Sequence, residues 1–206
     1  MNYWETIYKE GAVWKFEPAD SAISTAFSFR DKGISKVLIP GIGYGRNAKP
    51  FVDNNIVVEG VEISESAVAL AKENNINCKI YTGSVLDIPF NNMVYDGVFC
   101  YSVLHLFKKK ERNQILSSCY QQLKPGGSMV FVVVSTKAEL FAQGKKLSNN
   151  RYKLNNGLNV FFYDSPSIEK EFEIFRLIKY YEISEPIKHI KNEPDLKCFV
   201  VECQKP

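Results

Sequence analysis

Only two histidines, His105 and His189, occur in the 206 residues, and the five cysteines, Cys78, Cys100, Cys119, Cys198 and Cys203, form no CxxC pair. A structural zinc site needs about four clustered ligands, and this spacing offers none, so no metal is expected. An odd, scattered set of cysteines reads as reduced thiols, mostly in the core. Long apolar runs are missing too: the longest aliphatic and aromatic stretch, Met129 to Val134, stops at Ser135, too short to span a bilayer. The opening MNYWETIYKE has no basic stretch leading an apolar one, so no signal peptide and a cytoplasmic place are expected. Net charge is only +3, too little to indicate nucleic acid or a membrane surface. Repeats and low-complexity segments are absent, and 45% hydrophobic with 24% charged residues are ordinary globular proportions. The length, about 1.4 times a ~150-residue domain, predicts one domain over 1–206.

Short apolar runs alternate with helical patterns. Lys36 to Ile39, Ile56 to Ile63, Cys78 to Tyr81, Gly97 to Tyr101 and Ser128 to Ser135 read as strands, the last as a strand buried on both faces. Between them, Ser64 caps a predicted helix through Lys72 that stops near Asn74-Asn75, and Glu111 to Leu123 is amphipathic, ended by Lys124-Pro125-Gly126-Gly127. Strand alternating with helix implies βαβ units and a mainly parallel sheet with helices on both faces, a Rossmann-like α/β fold. In the last third, Val160 to Tyr163 is a short strand or loop edge, Ser165 to Phe172 a short helix, and Ile178 to Ile183 and Cys198 to Cys203 a final antiparallel unit. The stretch 143–158, rich in Asn, Lys and Gly, reads as a mobile surface loop within an insertion of about 136–175, and as a candidate lid.

The sharpest local signal is Pro40-Gly41-Ile42-Gly43-Tyr44-Gly45-Arg46-Asn47, directly after the first strand. Glycines there let the backbone turn tightly and approach a ligand without Cβ obstruction. A helix over about 47–53, with Pro50 harmless in its first turn, would present free N–H groups. Glu62 stands at the end of the second strand, where a carboxylate can accept both hydroxyls of a ribose. Glu59 is the competing acid but lies inside the strand. A nicotinamide dinucleotide fingerprint wants G-x-G-x-x-G. The spacing G-x-G-x-G instead favours a nucleoside carrying an amino acid.

With these motifs in order, the segment Val37 to Ser135 resembles the class I S-adenosylmethionine-dependent methyltransferases. IPGIGYG resembles their first motif and VEGVEIS the second. GSVLDIPF resembles the segment after the third strand, YDGVFCYSVLHLF the fourth strand, and LKPGGSMVFVV the turn into the fifth. The resemblance implies S-adenosylmethionine as methyl donor and S-adenosylhomocysteine as product. It places Gly41, Gly43 and Gly45 under the methionine part, Glu62 on the ribose and Ile63 on the adenine. Ser84 and Val85 would flank the adenine edge, with Cys100 and Tyr101 near the methionine part and sulfonium. Pro40 departs from the acid many members carry before the first glycine, and Ser84 from a common Asp. Pro40 together with Tyr3-Trp4, Tyr8, Gly11, Trp14 and Pro18 resembles the branch acting on thiopurines, tellurite and similar small acceptors.

Trp4 and Tyr8, four residues apart, read as one apolar helix face in an N-terminal aromatic arm of about 1–18, and Trp14 as a cover over the cofactor. His105, in SVLHLF, is either a general base or a histidine with a structural hydrogen bond. His189 has no motif around it, and Lys108 to Lys110 read as a solvated face. The segment after the fourth strand, Cys100-Tyr101-Ser102-Val103, lacks the Asn/Asp/Ser-Pro-Pro-aromatic motif of base-amine methyltransferases. Cys100 follows Phe99 rather than the proline of base-carbon enzymes. The expected acceptor is therefore a small molecule rather than nucleic acid, taken by a monomer or homodimer. Its pocket is expected among Trp14, Phe16, Tyr101, Phe141, Tyr152, Phe161, Phe162 and Tyr163, at least half of them core. A non-catalytic cofactor-binding module, a protein methyltransferase and a nicotinamide oxidoreductase are the alternatives.

Overall fold

The structure, a computed structural model, describes residues 3–11, 15–88, 94–188 and 194–206; Trp14 and His189 lie outside them. Five parallel strands form its centre: β1 (Lys36–Pro40), β2 (Val57–Glu62), β3 (Lys79–Thr82), β4 (Tyr95–Tyr101) and β5 (Leu123–Val134). Two later strands, β9 (Leu177–Glu185) and β10 (Leu196–Gln204), complete a seven-stranded sheet in the order β3-β2-β1-β4-β5-β10-β9. Strand β10 runs antiparallel to both its neighbours. The Rossmann-like expectation holds, and the C-terminal antiparallel strand β10 lies between β5 and β9.

Alternation along β5 explains the two layers. Met129, Phe131 and Val133 face a core with Ile115, Leu116 and Cys119 of α5 (Lys109–Gln122) and Ile168 and Phe172 of α6 (Ser165–Phe172). Val130 and Val132 face the opposite core, with Ala22, Ala26 and Phe29 of α2 (Asp20–Asp31) and Phe51 of α3 (Lys49–Asp53). A strand covered on both faces has no polar side to keep, which is why its run is apolar throughout.

Helix α2 has no clear mark in the sequence. Apart from Phe29 its buried face is small or polar, Ser21, Ala22, Thr25 and Ala26, and its cap is supplied from far away. Asn47 Oδ1 accepts from Ala19 N at 2.9 Å, and Glu185 accepts from Asp20 N at 2.7 Å and Ser21 N at 3.3 Å. The predicted turn at Lys124 to Gly127 is absorbed into β5 as an irregularity: Tyr95 pairs with Leu123 and Gly97 with Ser128. Asp96 anchors it, binding Lys124 at 2.6 Å and the amide of Lys36 at 2.9 Å.

The 143–158 stretch is not a loop. It holds β6 (Lys145–Ser148) and β7 (Arg151–Lys153), which with β8 (Asn159–Phe161) form a three-stranded antiparallel sheet. Tyr152, Leu154, Val160 and Phe162 bury their side chains with Val134 and Ala138, and Phe141 packs against them. These apolar residues are too widely spaced among polar ones for their alternation to register, yet together they make a small core.

Candidate active site

A cavity of about 930 Å³ opens at the carboxyl ends of β1, β2 and β4, where the chain leaves β1 and β4 in opposite directions along the sheet. Such a switch point is the usual ligand crevice of an open α/β sheet. Gly41, Ile42 and Gly43 form one wall. Gly41 has φ +66°, and a Cβ there would stand 2.4 Å from Val103 Cγ2, so both conformation and space demand glycine. The amides of Gly41 and Ile42 donate to Val61 O at 2.8 and 3.1 Å, tying the loop to β2.

Glu62 is the best-fixed acid on the wall. It is buried, and its Oε2 accepts from Gly43 N at 2.8 Å while Oε1 accepts from Ser64 N at 2.9 Å. Desolvation raises its pKa above the usual carboxylate value, opposed by these amides. Each oxygen keeps acceptor capacity for a further donor. Glu59 is engaged elsewhere, with Lys36 Nζ at 2.9 Å and the Tyr95 hydroxyl at 2.8 Å, and does not line the cavity.

Ile63, Ser84, Val85 and Tyr101 share the wall with Glu62 and the two glycines. Ser84 Oγ accepts from Leu86 N at 3.1 Å and caps the single turn Val85–Asp87, a task a carboxylate could also perform. The Arg46 guanidinium lies 5.5 Å from the Tyr101 ring centroid. Two expected residues stand apart from the cavity. Gly45, φ +82°, packs on Ile76, where a Cβ would meet Cγ2 at 2.9 Å. Cys100 lies in the core with Leu104 and Ile115, its thiol pushed up to about 12 by burial.

The N-terminal arm covers the glycine loop. Helix α1 (Tyr3–Lys9) brings Tyr3, Trp4 and Tyr8 to the cavity. Tyr8 and Trp4 stack at 6.1 Å, and Tyr8 meets Tyr44 edge-on at 5.8 Å. Glu5 anchors the helix: it accepts from the hydroxyls of Ser64 and Ser66, both at 2.7 Å, at the start of α4 (Glu65–Glu73). These bonds hold its pKa at about 2.

His105 lines the cavity from the turn Leu104–Leu106. Its Nδ1 accepts from Val134 N at 3.3 Å, which assigns the ring proton to Nε2. Burial, reinforced by Arg112, lowers its pKa to about 3. A neutral imidazole with one nitrogen accepting and the other protonated is a hydrogen-bond donor and a poor base. The turn is fastened from behind, since both Arg112 and Arg151 donate to Phe107 O. Arg112 is itself paired with Glu171 in the core, and Glu171 also accepts from the Tyr163 hydroxyl at 3.0 Å.

Beyond His105 the wall is aliphatic: Leu106, Leu140, Leu154, Leu158, Val160 and Leu196. The expected aromatic pocket is corrected here. Tyr152, Phe162 and Tyr163 are buried, and of the described members of that set only Tyr101 and Phe162 reach the cavity. Aromatic rings supply the core that lets the inserted sheet stand; leucines meet the ligand space. Ser102 was not foreseen. It holds φ +56° on the wall with its Oγ buried and without a hydrogen-bond partner among the described residues.

Residues 38–131 match a family model described as a methyltransferase domain. A putative methyltransferase of Geobacillus sp. (strain WCH70) is 26% identical over 110 residues, 51% of this chain and 44% of that protein. The tRNA N(3)-methylcytidine methyltransferase Mettl2 of Drosophila melanogaster is 25% identical over 158 residues, 70% of this chain and 47% of that one. The chain thus spans about half the length of these curated relatives. Among solved structures, the 1,6-didemethyltoxoflavin-N1-methyltransferase of Burkholderia thailandensis, with 1,6-didemethyltoxoflavin and S-adenosylhomocysteine bound, superposes with a TM-score of 0.71 at 18% identity. The match covers 97% of this chain and 84% of that one. No helix among the described residues is long and apolar enough to cross a membrane. By sequence residues 38–131 are similar to methyltransferase domains, and the chain has the class I methyltransferase fold.

Proposed function

We propose that this chain transfers the methyl group of S-adenosylmethionine to a small-molecule acceptor and releases S-adenosylhomocysteine. The observation that carries this is Glu62, a buried carboxylate fixed by two backbone amides beside a glycine loop that tolerates no Cβ at Gly41. That donor and acceptor set fits an adenosine bearing an amino acid. Glu62 would take the ribose hydroxyls, Ile63 and Val85 would pack on the adenine, and the loop from Gly41 to Gly43 would pass under the methionine part. When bound, the cofactor supplies a sulfonium, an already activated leaving group.

The protein's part is alignment and dryness. Trp4 and Tyr8 cover the loop from one side, and Leu154, Leu158 and Val160 shield the other. Proximity and exclusion of water then carry most of the rate. His105 donates a hydrogen bond and orients the acceptor instead of removing its proton, which suits a thiol, another soft atom or an acidic hydroxyl as nucleophile. The relation to the branch acting on thiopurines and tellurite belongs to the same reading, supported by Pro40 and by the arm that packs on the glycine loop.

A labelled-methyl assay on small-molecule, protein and RNA pools tests it. Labelling in the small-molecule pool is expected, with His105→Ala reducing the rate less than about tenfold, because a positioned base contributes ~100-fold or more. Labelling confined to protein or RNA contradicts the acceptor class.

A further inference from the structure

Charge is kept away from one side of the cavity. Residues 104–163, which build the proposed acceptor side, contain ten Lys or Arg together with Glu111 and Glu139, and none of these side chains lines the cavity. Strand alternation accounts for part of this. Lys145 pairs with Lys153 across β6 and β7, and Lys153 alternates with the buried Tyr152 and Leu154, so it points away from the small core. Two further cations are held behind the turn that carries His105. Arg112 pairs with Glu171 and lies over the Phe161 ring at 3.9 Å, and both it and Arg151 donate to Phe107 O. The charged residues that do reach the wall, Lys15, Glu17, Arg46, Glu62, Glu185 and Lys188, come from outside the segment. Glu62 and Glu185 among them are held by backbone amides.

What the segment presents to the cavity is mainly aliphatic, with Leu106, Leu140, Leu154, Leu158 and Val160, and with the uncharged and exposed Asn156 and Asn159. Two buried polar groups stand beside these leucines. His105 Nδ1 accepts from Val134 N at 3.3 Å, so Nε2–H is what this ring offers a ligand. Ser102 has φ +56°, and its amide donates to Val132 O at 2.9 Å. Glycine would take that conformation with less strain, and the serine hydroxyl has no hydrogen-bond partner among the described residues, so the turn does not use it. A buried hydroxyl left unpaired is costly, and a ligand group beside it removes the cost.

We infer that the acceptor is an uncharged, mainly aliphatic molecule with one polar group, which lies against His105 and Ser102 while its body covers the leucines. A charged substituent there would exchange water for hydrocarbon without a counter-ion. The inference rests on the methyl-transfer reading and deepens it by naming the class of acceptor.

Three ligands with the same chain and different head groups test it: 1-octanol, octanoate and octylammonium. Each is used at pH 7 to displace neutral, fluorescent N-phenyl-1-naphthylamine from the protein, with and without saturating S-adenosylhomocysteine. The alcohol is expected to displace the probe at a concentration about tenfold or more below either ion. Ser102→Gly should weaken the alcohol about threefold to tenfold and leave the probe's own affinity within about twofold, which reports an intact wall. Leu140→Lys, at an exposed position on the wall, should shift the preference toward octanoate. Displacement by either ion as readily as by the alcohol overturns the inference, as does failure of the probe to bind. So does an alcohol affinity unchanged in Ser102→Gly, or an unchanged preference in Leu140→Lys. Calorimetry with S-adenosylhomocysteine on the same samples keeps the two readings apart. No heat of binding there defeats methyl transfer, whereas heat there with an ion preferred in the cavity defeats only the class of acceptor.

Discussion

At the proposed cofactor end of the cavity, backbone conformation and one carboxylate shape the wall; at the proposed acceptor end, side-chain packing does. The loop from Gly41 to Gly43 is specified by φ angles and by space that admits no Cβ, and Glu62 is oriented by amides of its own neighbourhood. The acceptor wall depends on a small sheet whose core is rings and leucines, joined to the turn carrying His105 by Arg151 and Arg112. A wall made of backbone can hold the same ligand across many sequences. A wall made of packed side chains can be rebuilt for a new acceptor without touching the first. The two ends should therefore fail separately.

The largest break is expected at the acceptor end. Arg112→Leu leaves Glu171 charged in the core, a change of about 3–5 kcal/mol. Urea unfolding at pH 7 should show it, and Arg112→Met/Glu171→Leu should recover most of the loss. A loss below about 1 kcal/mol in the single variant would mean that the pair is not what fastens this end.

At the cofactor end, Glu62→Ala should weaken S-adenosylhomocysteine about tenfold to a hundredfold, or about 1–3 kcal/mol, the scale for hydrogen bonds to a charged group. Glu59→Gln should leave that affinity within about twofold while lowering the unfolding midpoint, because its partners are Lys36 and Tyr95. Equal losses in both variants would erase the distinction between the two acids.

A pH series sharpens the role of His105. Its folded pKa is lowered to about 3, so the unfolded chain binds the proton first as pH falls below ~6.5. Stability is then complete above that value and declines toward pH 3. Between pH 7 and 5 the decline is about 2 kcal/mol, and His105→Asn should lack it. An unchanged slope in the variant would place the titration elsewhere.

The smallest effect is expected at the latch of α1. Glu5→Gln should reduce hydrogen-exchange protection of residues 3–9 and leave the global unfolding midpoint unchanged, because the carboxylate joins one helix to the start of another at the surface. Unaltered protection would show that Tyr8, packed on Tyr44, holds the arm without it.

The same contrast governs what the sequence revealed. Five strands and the pairing of a glycine turn with Glu62 were legible because each depends on residues near in sequence: alternation, a turn, an acid at a strand end. Helix α2 was not, since Asn47 and Glu185 cap it from distant elements. The inserted sheet was read as a loop, because Tyr152, Leu154, Val160 and Phe162 join only in three dimensions. For the same reason the pocket was assigned to eight aromatics of which only Tyr101 and Phe162 reach it among the described residues, while Leu106, Leu154 and Leu158, which line it, carry no signal in a single sequence. Gly45 shares the motif of Gly41 and Gly43 but turns toward Ile76, a direction that spacing does not encode.

The account stands or falls on what the Glu62 wall binds, and calorimetric titration of the parent protein with S-adenosylhomocysteine and, separately, with NADH asks that directly. It predicts saturable binding of S-adenosylhomocysteine, reduced at least tenfold in Glu62→Ala, and no heat with NADH. Clear NADH binding without any response to S-adenosylhomocysteine would contradict it.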